Sequence, residues 1–135
     1  MPWFRIALAT VVGGLVSSMT DWLFMGDWLY KRFDQYPEIW RYPRGHGETK
    51  AIIWASLLPF LTCGVFAFVC ARLHLYSYGP TTKLALGIWL IGPLPLTAAN
   101  ALFMKLTPAI AAAHALGWLF KLELAGLAVG LILGW

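Results

Sequence analysis

Among the polar side chains that interrupt the apolar stretches of this sequence, six are its candidates for chemistry. They are Asp21, Asn100, His114, Trp118, Lys121 and Glu123. Carboxyl, amine, imidazole and amide groups placed together can bind the polar head of a ligand or move a proton. Ionisable groups cost about 3 kcal/mol or more inside a hydrocarbon layer, so they mark functional sites. We predict that these six residues form a ligand-binding site.

The helical phase of the last apolar stretch decides which candidates share a face. At about 100° per residue, His114 and Lys121 differ by about 20° and lie on one stripe. Glu123 lies about 200° from Lys121, so the two cannot pair along one face. We expect Glu123 to bond Asn100 or Lys105, or to carry a proton.

Rows of small residues predict close helix packing on the first and last apolar stretches. In the first stretch, Ser17 is correctly spaced to hydrogen-bond Asp21 four residues later. In the last stretch, Glu123 shares its face with three glycines. The predicted packing residues are Gly14, Ser18, Gly126, Gly130 and Gly134.

The elements that hold these residues follow from composition and length. Of 135 residues, 60% are hydrophobic and 12% are charged, and the mean hydropathy is +0.70. A soluble domain carries about 25% charged residues, so we predict an integral membrane protein in the lipid bilayer. A segment of about 20 apolar residues crosses a bilayer. The sequence predicts one all-α domain, a four-helix up-and-down bundle with helices at about residues 4–25, 51–74, 83–104 and 108–135.

The connection at residues 26–50 is long and mixes aromatic residues with charges of both signs. We predict that this amphipathic, aromatic-rich loop lies at the headgroup region. Because its acidic residues nearly cancel its basic ones, it lacks the basic patch of a nucleic-acid surface, and no nucleic-acid partner is expected. The other two connections are short and predict antiparallel neighbours.

Basic residues predict the orientation of the spans. The ends that hold the first and third connections carry six Lys and Arg residues, against three at the opposite ends. The positive-inside rule therefore favours both termini outside the cytoplasm. The two sets are Lys31, Arg32, Arg41, Arg44, Lys50 and Lys105, against Arg5, Arg72 and Lys83.

Prolines and missing motifs narrow the chemistry. Pro93 and Pro95 predict a kink in the third span, with a candidate cavity beside it.

Cys63 and Cys70 lie about 10 Å apart along one helix, too far to form a disulfide bond with each other, and are predicted to be small packing residues. The sequence has no HExxH, CxxC, GxSxG or phosphate-binding glycine loop, so no metal and no cofactor are expected.

Two stretches resemble a known family. The members of the domain of unknown function 1761 family are small bacterial membrane proteins. Their first and last helices are similar to two segments of this chain, GGLVSSMTDWLFMGDWLYKRF at 13–33 and HALGWLFKLELAGLAVGLILGW at 114–135. The chain departs from that family at Asp21-Trp22-Leu23, where relatives carry Trp-Tyr-Ser-Pro. The resemblance implies a four-span fold in the bacterial cytoplasmic membrane and supplies no catalytic residue.

The leading functional prediction is a non-enzymatic membrane protein that binds a small apolar or lipidic ligand, or a membrane-protein partner, in a polar half of the bundle. The glycine rows also suit a homo-oligomer. Two alternatives stay open. One is a proton-coupled transporter that uses Asp21 and Glu123; the other is a membrane-embedded enzyme acting on a lipid or isoprenoid. A structural interpretation also stays open, with Asp21 at headgroup depth and Lys121 extending to the interface.

Overall fold

The computed structural model describes residues 1–24 and 47–135, and within these ranges every regular element is a helix. The all-α prediction is therefore confirmed. The loop predicted at 26–50 lies outside the described residues, except for its last four positions. The helices are α1 (Trp3–Asp21), α2 (Glu48–Arg72), α3 (Tyr78–Ile91), α4 (Pro93–Phe103) and α5 (Pro108–Gly134).

The described residues contain four segments long and apolar enough to cross a membrane, with α3 and α4 forming one segment, Tyr78–Phe103. This arrangement fits a multi-pass membrane protein. The third segment begins five residues earlier than the predicted residue 83. Pro80 lies within this earlier start, because proline is tolerated in the first turn of a helix, where the N–H groups have no helical partner.

Local chemistry explains two helix ends. α5 begins after Thr107, whose hydroxyl accepts a hydrogen bond from the Ile110 amide at 3.4 Å, and Pro108 occupies the first helical position. The break in the third span lies at Gly92, with φ −120° and ψ −87°. Pro93 and Pro95 follow this glycine and have no N–H to donate to carbonyls of the preceding turn, so the α3 ladder ends there.

The helices pack in an order that differs from their order in the chain. α1 packs against α2 and α5, and α5 packs against α1, α3, α4 and, less extensively, α2. Within the described residues α2 and α3 make no more than marginal contact. The prediction that short connections join packed neighbours is therefore wrong for α2 and α3. α5 lies between α1 and α3 instead, because its small residues allow close approach on two sides.

Small side chains make up most of the core. The buried residues include seven alanines or cysteines that face neighbouring helices, which is the usual composition of helix interfaces in a membrane. Cys63 and Cys70 are both buried and free. The outward faces are apolar, and α4 has no buried residue. These seven buried alanines and cysteines are Ala9, Cys63, Ala67, Cys70, Ala71, Ala85 and Ala125.

Candidate functional site

An ion pair between the first and last helices is the centre of the candidate site. The Lys121 Nζ lies 2.6 Å from the Asp21 Oδ2. Lys121 lies at the middle of α5, so its charge is about 20 Å from either helix end. Asp21 is the last residue of α1, which runs antiparallel to α5. The structure therefore brings together two of the six predicted site residues.

The two partners of this ion pair differ in exposure. The Lys121 side chain is 8% exposed, and the Asp21 side chain is 30% exposed. The Lys121 ammonium is therefore enclosed between helices and neutralised by Asp21. The carboxylate keeps an open edge that can still accept hydrogen bonds from another group.

Trp118 completes the surroundings of the Lys121 ammonium. The Nζ lies 4.2 Å from the centroid of the Trp118 ring, in the geometry of a cation–π contact. Trp118 precedes Lys121 by three residues and therefore shares its face of α5. A third predicted site residue thus contacts the ion pair directly.

A buried hydroxyl and a thiol lie beside the pair. Ser17 Oγ and Cys63 Sγ are 3.4 Å apart and form a hydrogen bond between α1 and α2. The Cys63 thiol also lies within electrostatic range of Lys121 and Asp21. The predicted bond from Ser17 to Asp21 is replaced by this one, since Asp21 turns toward Lys121.

Aromatic rings flank the site at the end of α1. Phe24 and Phe120 stack with ring centroids 5.6 Å apart and planes 21° apart. Phe24 also lies against Gly117, where an added methyl group would be 3.5 Å from its Cβ. Phe24 follows Asp21 by three residues, a spacing that puts both side chains on the same side of the helix end.

The remaining three predicted site residues are placed differently. His114 is half-buried and takes part in an interaction of its own. Glu123 is partly exposed on another face of α5, and it makes no hydrogen bond or ion pair with the described residues. Its expected bonds to Asn100 and Lys105 are absent from that set. Asn100 lies on α4, which has no buried residue.

The predicted packing residues lie at helix contacts. Gly14 faces the Phe60 ring, and Gly126 and Gly130 face Thr81 on α3. Gly134 faces the Tyr76 carbonyl. Ser18 Oγ donates to the Ser56 carbonyl at 3.4 Å. The glycines of α5 therefore approach α3 closely, whereas Glu123 itself stays partly exposed.

Sequence reasoning missed Cys63 as a neighbour of the ion pair and Thr81 as a link between helices. Thr81 Oγ1 lies 2.7 Å from the Gly126 carbonyl and is buried. The missed signal for the ion pair was that Asp21 and Lys121 are opposite charges predicted in the same leaflet, where buried charges nearly always pair.

The described residues contain no group of three or more His, Cys, Asp or Glu residues that could hold a metal ion. The site can instead hold a polar head against the Asp21 carboxylate and an apolar body against the aromatic rings. Comparison with protein-family models, with curated proteins and with solved structures gives no match for this chain.

Proposed function

We propose that this chain is a multi-pass membrane protein that binds a small amphipathic or lipidic ligand beside the Asp21–Lys121 pair. The observation that carries the proposal is the unequal burial of the pair: the ammonium is enclosed and the carboxylate is 30% exposed. The exposed edge of the carboxylate is the part of the pair that a ligand can reach, and the enclosed ammonium holds that edge in place.

The surroundings indicate the chemistry of the ligand. A carboxylate only accepts hydrogen bonds, so it favours a hydroxyl or ammonium head and repels an anionic one. The stacked rings of Phe24 and Phe120 offer an apolar surface next to it. An alcohol or amine with a hydrocarbon body matches both features. In this proposal the site binds its ligand and does not transform it.

The position of Glu123 supports this proposal over the transporter alternative. A proton relay between Asp21 and Glu123 requires the two carboxyl groups to approach each other or a common path. Asp21 is engaged by Lys121, and Glu123 lies about 200° away from Lys121 around α5. The geometry thus favours a single binding site at Asp21.

Lipid analysis of the purified protein tests the proposal. We expect one class of hydroxyl- or amine-bearing lipid to co-purify with the wild type and to be identified by mass spectrometry after extraction. The double variant Asp21→Asn/Lys121→Met should lose it, since the open carboxylate is gone. We choose a double variant because Asp21→Asn alone leaves an unpaired buried charge.

Glu123→Gln is the matched control, because it removes a carboxylate from another face of the same region. It should retain the lipid in the wild-type amount. Equal lipid content in all three proteins, each with an intact thermal unfolding transition, contradicts the proposal.

A further inference from the structure

We infer a second binding site, for the phosphate of an anionic phospholipid headgroup, at the end of the molecule opposite the Asp21 site. A surface groove of about 420 Å³ lies where α2 ends, lined by Met1, Ala71, Arg72, His74 and Tyr76. This inference does not rest on the proposed function, because no lining residue belongs to the ion-pair site.

Arg72 supplies an available cation at the groove. It is exposed in the last turn of α2, and it makes no hydrogen bond or ion pair with the described part of the chain. A guanidinium presents a planar fork of N–H donors that matches two phosphate oxygens. Arg72 is therefore free to bind a phosphate that enters the groove.

His74 adds a second nitrogen at the groove. It follows the α2 C-cap with φ 55°, a left-handed position that glycine usually occupies at a helix end. The Tyr76 hydroxyl donates to the Ala71 carbonyl at 3.3 Å. Its single proton is thereby used, so the 3.2 Å contact with His74 Nδ1 requires Nδ1 to donate to the Tyr76 oxygen.

This hydrogen-bond chain orients the imidazole. With Nδ1 directed at Tyr76, the Nε2 atom is left for a ligand, and it becomes a donor to a phosphate oxygen when the ring is protonated. The left-handed conformation of His74 closes the end of α2, since the Leu75 amide donates to the Cys70 carbonyl at 2.9 Å. This helix end holds the exposed His74 at the groove that Arg72 also lines.

The charge distribution favours an anion at this end. Arg5 and Arg72 lie here, as shown by the Arg5 Nη1 bond to the Leu133 carbonyl at the end of α5. No Asp or Glu belongs to the helix ends that meet here in the described residues: Asp21 ends α1, Glu48 begins α2, and Glu123 lies near the middle of α5.

Aromatic residues place the groove at headgroup depth. Tyr76 and Tyr78 are exposed beside it, and tyrosines concentrate where hydrocarbon meets the headgroups. A phospholipid can therefore lay its phosphate on Arg72 while its chains stay in the bilayer. This depth favours a lipid headgroup over free phosphate as the occupant.

Native mass spectrometry of the purified full chain tests the site. Phosphatidylglycerol and phosphatidylcholine are titrated as probes, and inorganic phosphate is added in a separate series. We expect phosphatidylglycerol to bind several-fold more tightly than phosphatidylcholine. Arg72→Gln should weaken phosphatidylglycerol binding about tenfold, which corresponds to one charge-assisted contact.

Two further variants make the test specific. His74→Gly should reduce phosphatidylglycerol binding while raising or preserving thermal stability, since glycine suits the left-handed position. Lys105→Gln removes a positive charge at the opposite end and should bind like the wild type. Equal weakening in Arg72→Gln and Lys105→Gln, or no weakening in Arg72→Gln, overturns the proposal. Binding of inorganic phosphate as tight as that of phosphatidylglycerol overturns the lipid assignment.

Discussion

At the centre of α5, the Lys121 ammonium has exchanged its water shell for one carboxylate oxygen and one indole face. Removing a charge from water costs several kcal/mol, and this loss is offset only while the partner is present. Asp21 and Lys121 are thus coupled: each is costly without the other. Replacing both by neutral side chains of similar size removes the cost together with the attraction.

This coupling predicts a non-additive double-mutant cycle. We expect Asp21→Asn to lower the free energy of unfolding by about 3 kcal/mol, because Lys121 is left buried and uncompensated. The double variant Asp21→Asn/Lys121→Met should return to within about 1 kcal/mol of the wild type. Reversible unfolding in detergent measures both values.

Glu123→Gln serves as the control for that cycle, since its carboxyl is partly exposed and has no partner among the described residues. Its stability should stay close to that of the wild type. A single variant as stable as the double variant would show that the ion pair contributes nothing to the fold.

Residue types alone identified Asp21, Trp118 and Lys121 as candidates, since polar groups in apolar stretches are few and costly. Their contact was not predictable. Helical phase relates residues on one helix and says nothing about the register between two helices. For the same reason the neighbouring thiol of Cys63 was missed, and of the alternatives for Glu123 the bonds to Asn100 and Lys105 are not found among the described residues.

Among the helices, α3 and α5 form an interface that depends on glycines of α5, which have no side chain to hold the two backbones apart. A methyl group at Gly130 would lie 2.5 Å from the Tyr78 Cα and 2.7 Å from its amide nitrogen. Backbone atoms cannot move aside as a flexible side chain can. This close approach also allows Thr81 to reach the Gly126 carbonyl.

Gly130→Ala should therefore destabilise the protein by about 2 kcal/mol, since α3 must shift away from α5. Gly87→Ala is the matched control within the same pair of helices, because a methyl group there meets nothing within 4 Å. It should be neutral, or stabilising by about 0.5 kcal/mol from helix propensity. Thermal unfolding in the same detergent compares them, and equal melting temperatures would contradict the close-packing account.

Across the whole molecule, the two terminal spans pack together and α5 occupies the middle of the structure. The antiparallel packing places the α2–α3 connection at one end and the α4–α5 connection at the other. The count of Lys and Arg in the sequence, six for the first and third connections against three for the opposite ends, predicts the α4–α5 connection in the cytoplasm.

Thiol labelling in intact cells tests this orientation. The native Cys63 and Cys70 are buried, so their background labelling should be low. A membrane-impermeant maleimide should label Ser77→Cys from outside, and Lys105→Cys only after permeabilisation. The reverse pattern would invert the topology, and labelling of both positions from outside would contradict the membrane-spanning assignment.

The sequence by itself determined the helical class, the four apolar segments, the break before Pro93 and the residues worth testing, because these follow from composition, length and local backbone chemistry. Only the tertiary structure decided that α5 lies between α1 and α3, that Asp21 meets Lys121 and that Glu123 stays partly exposed and apart from that pair. Those facts depend on which small-residue faces meet and at what register. They are set by packing between segments far apart in the chain, which no local pattern encodes.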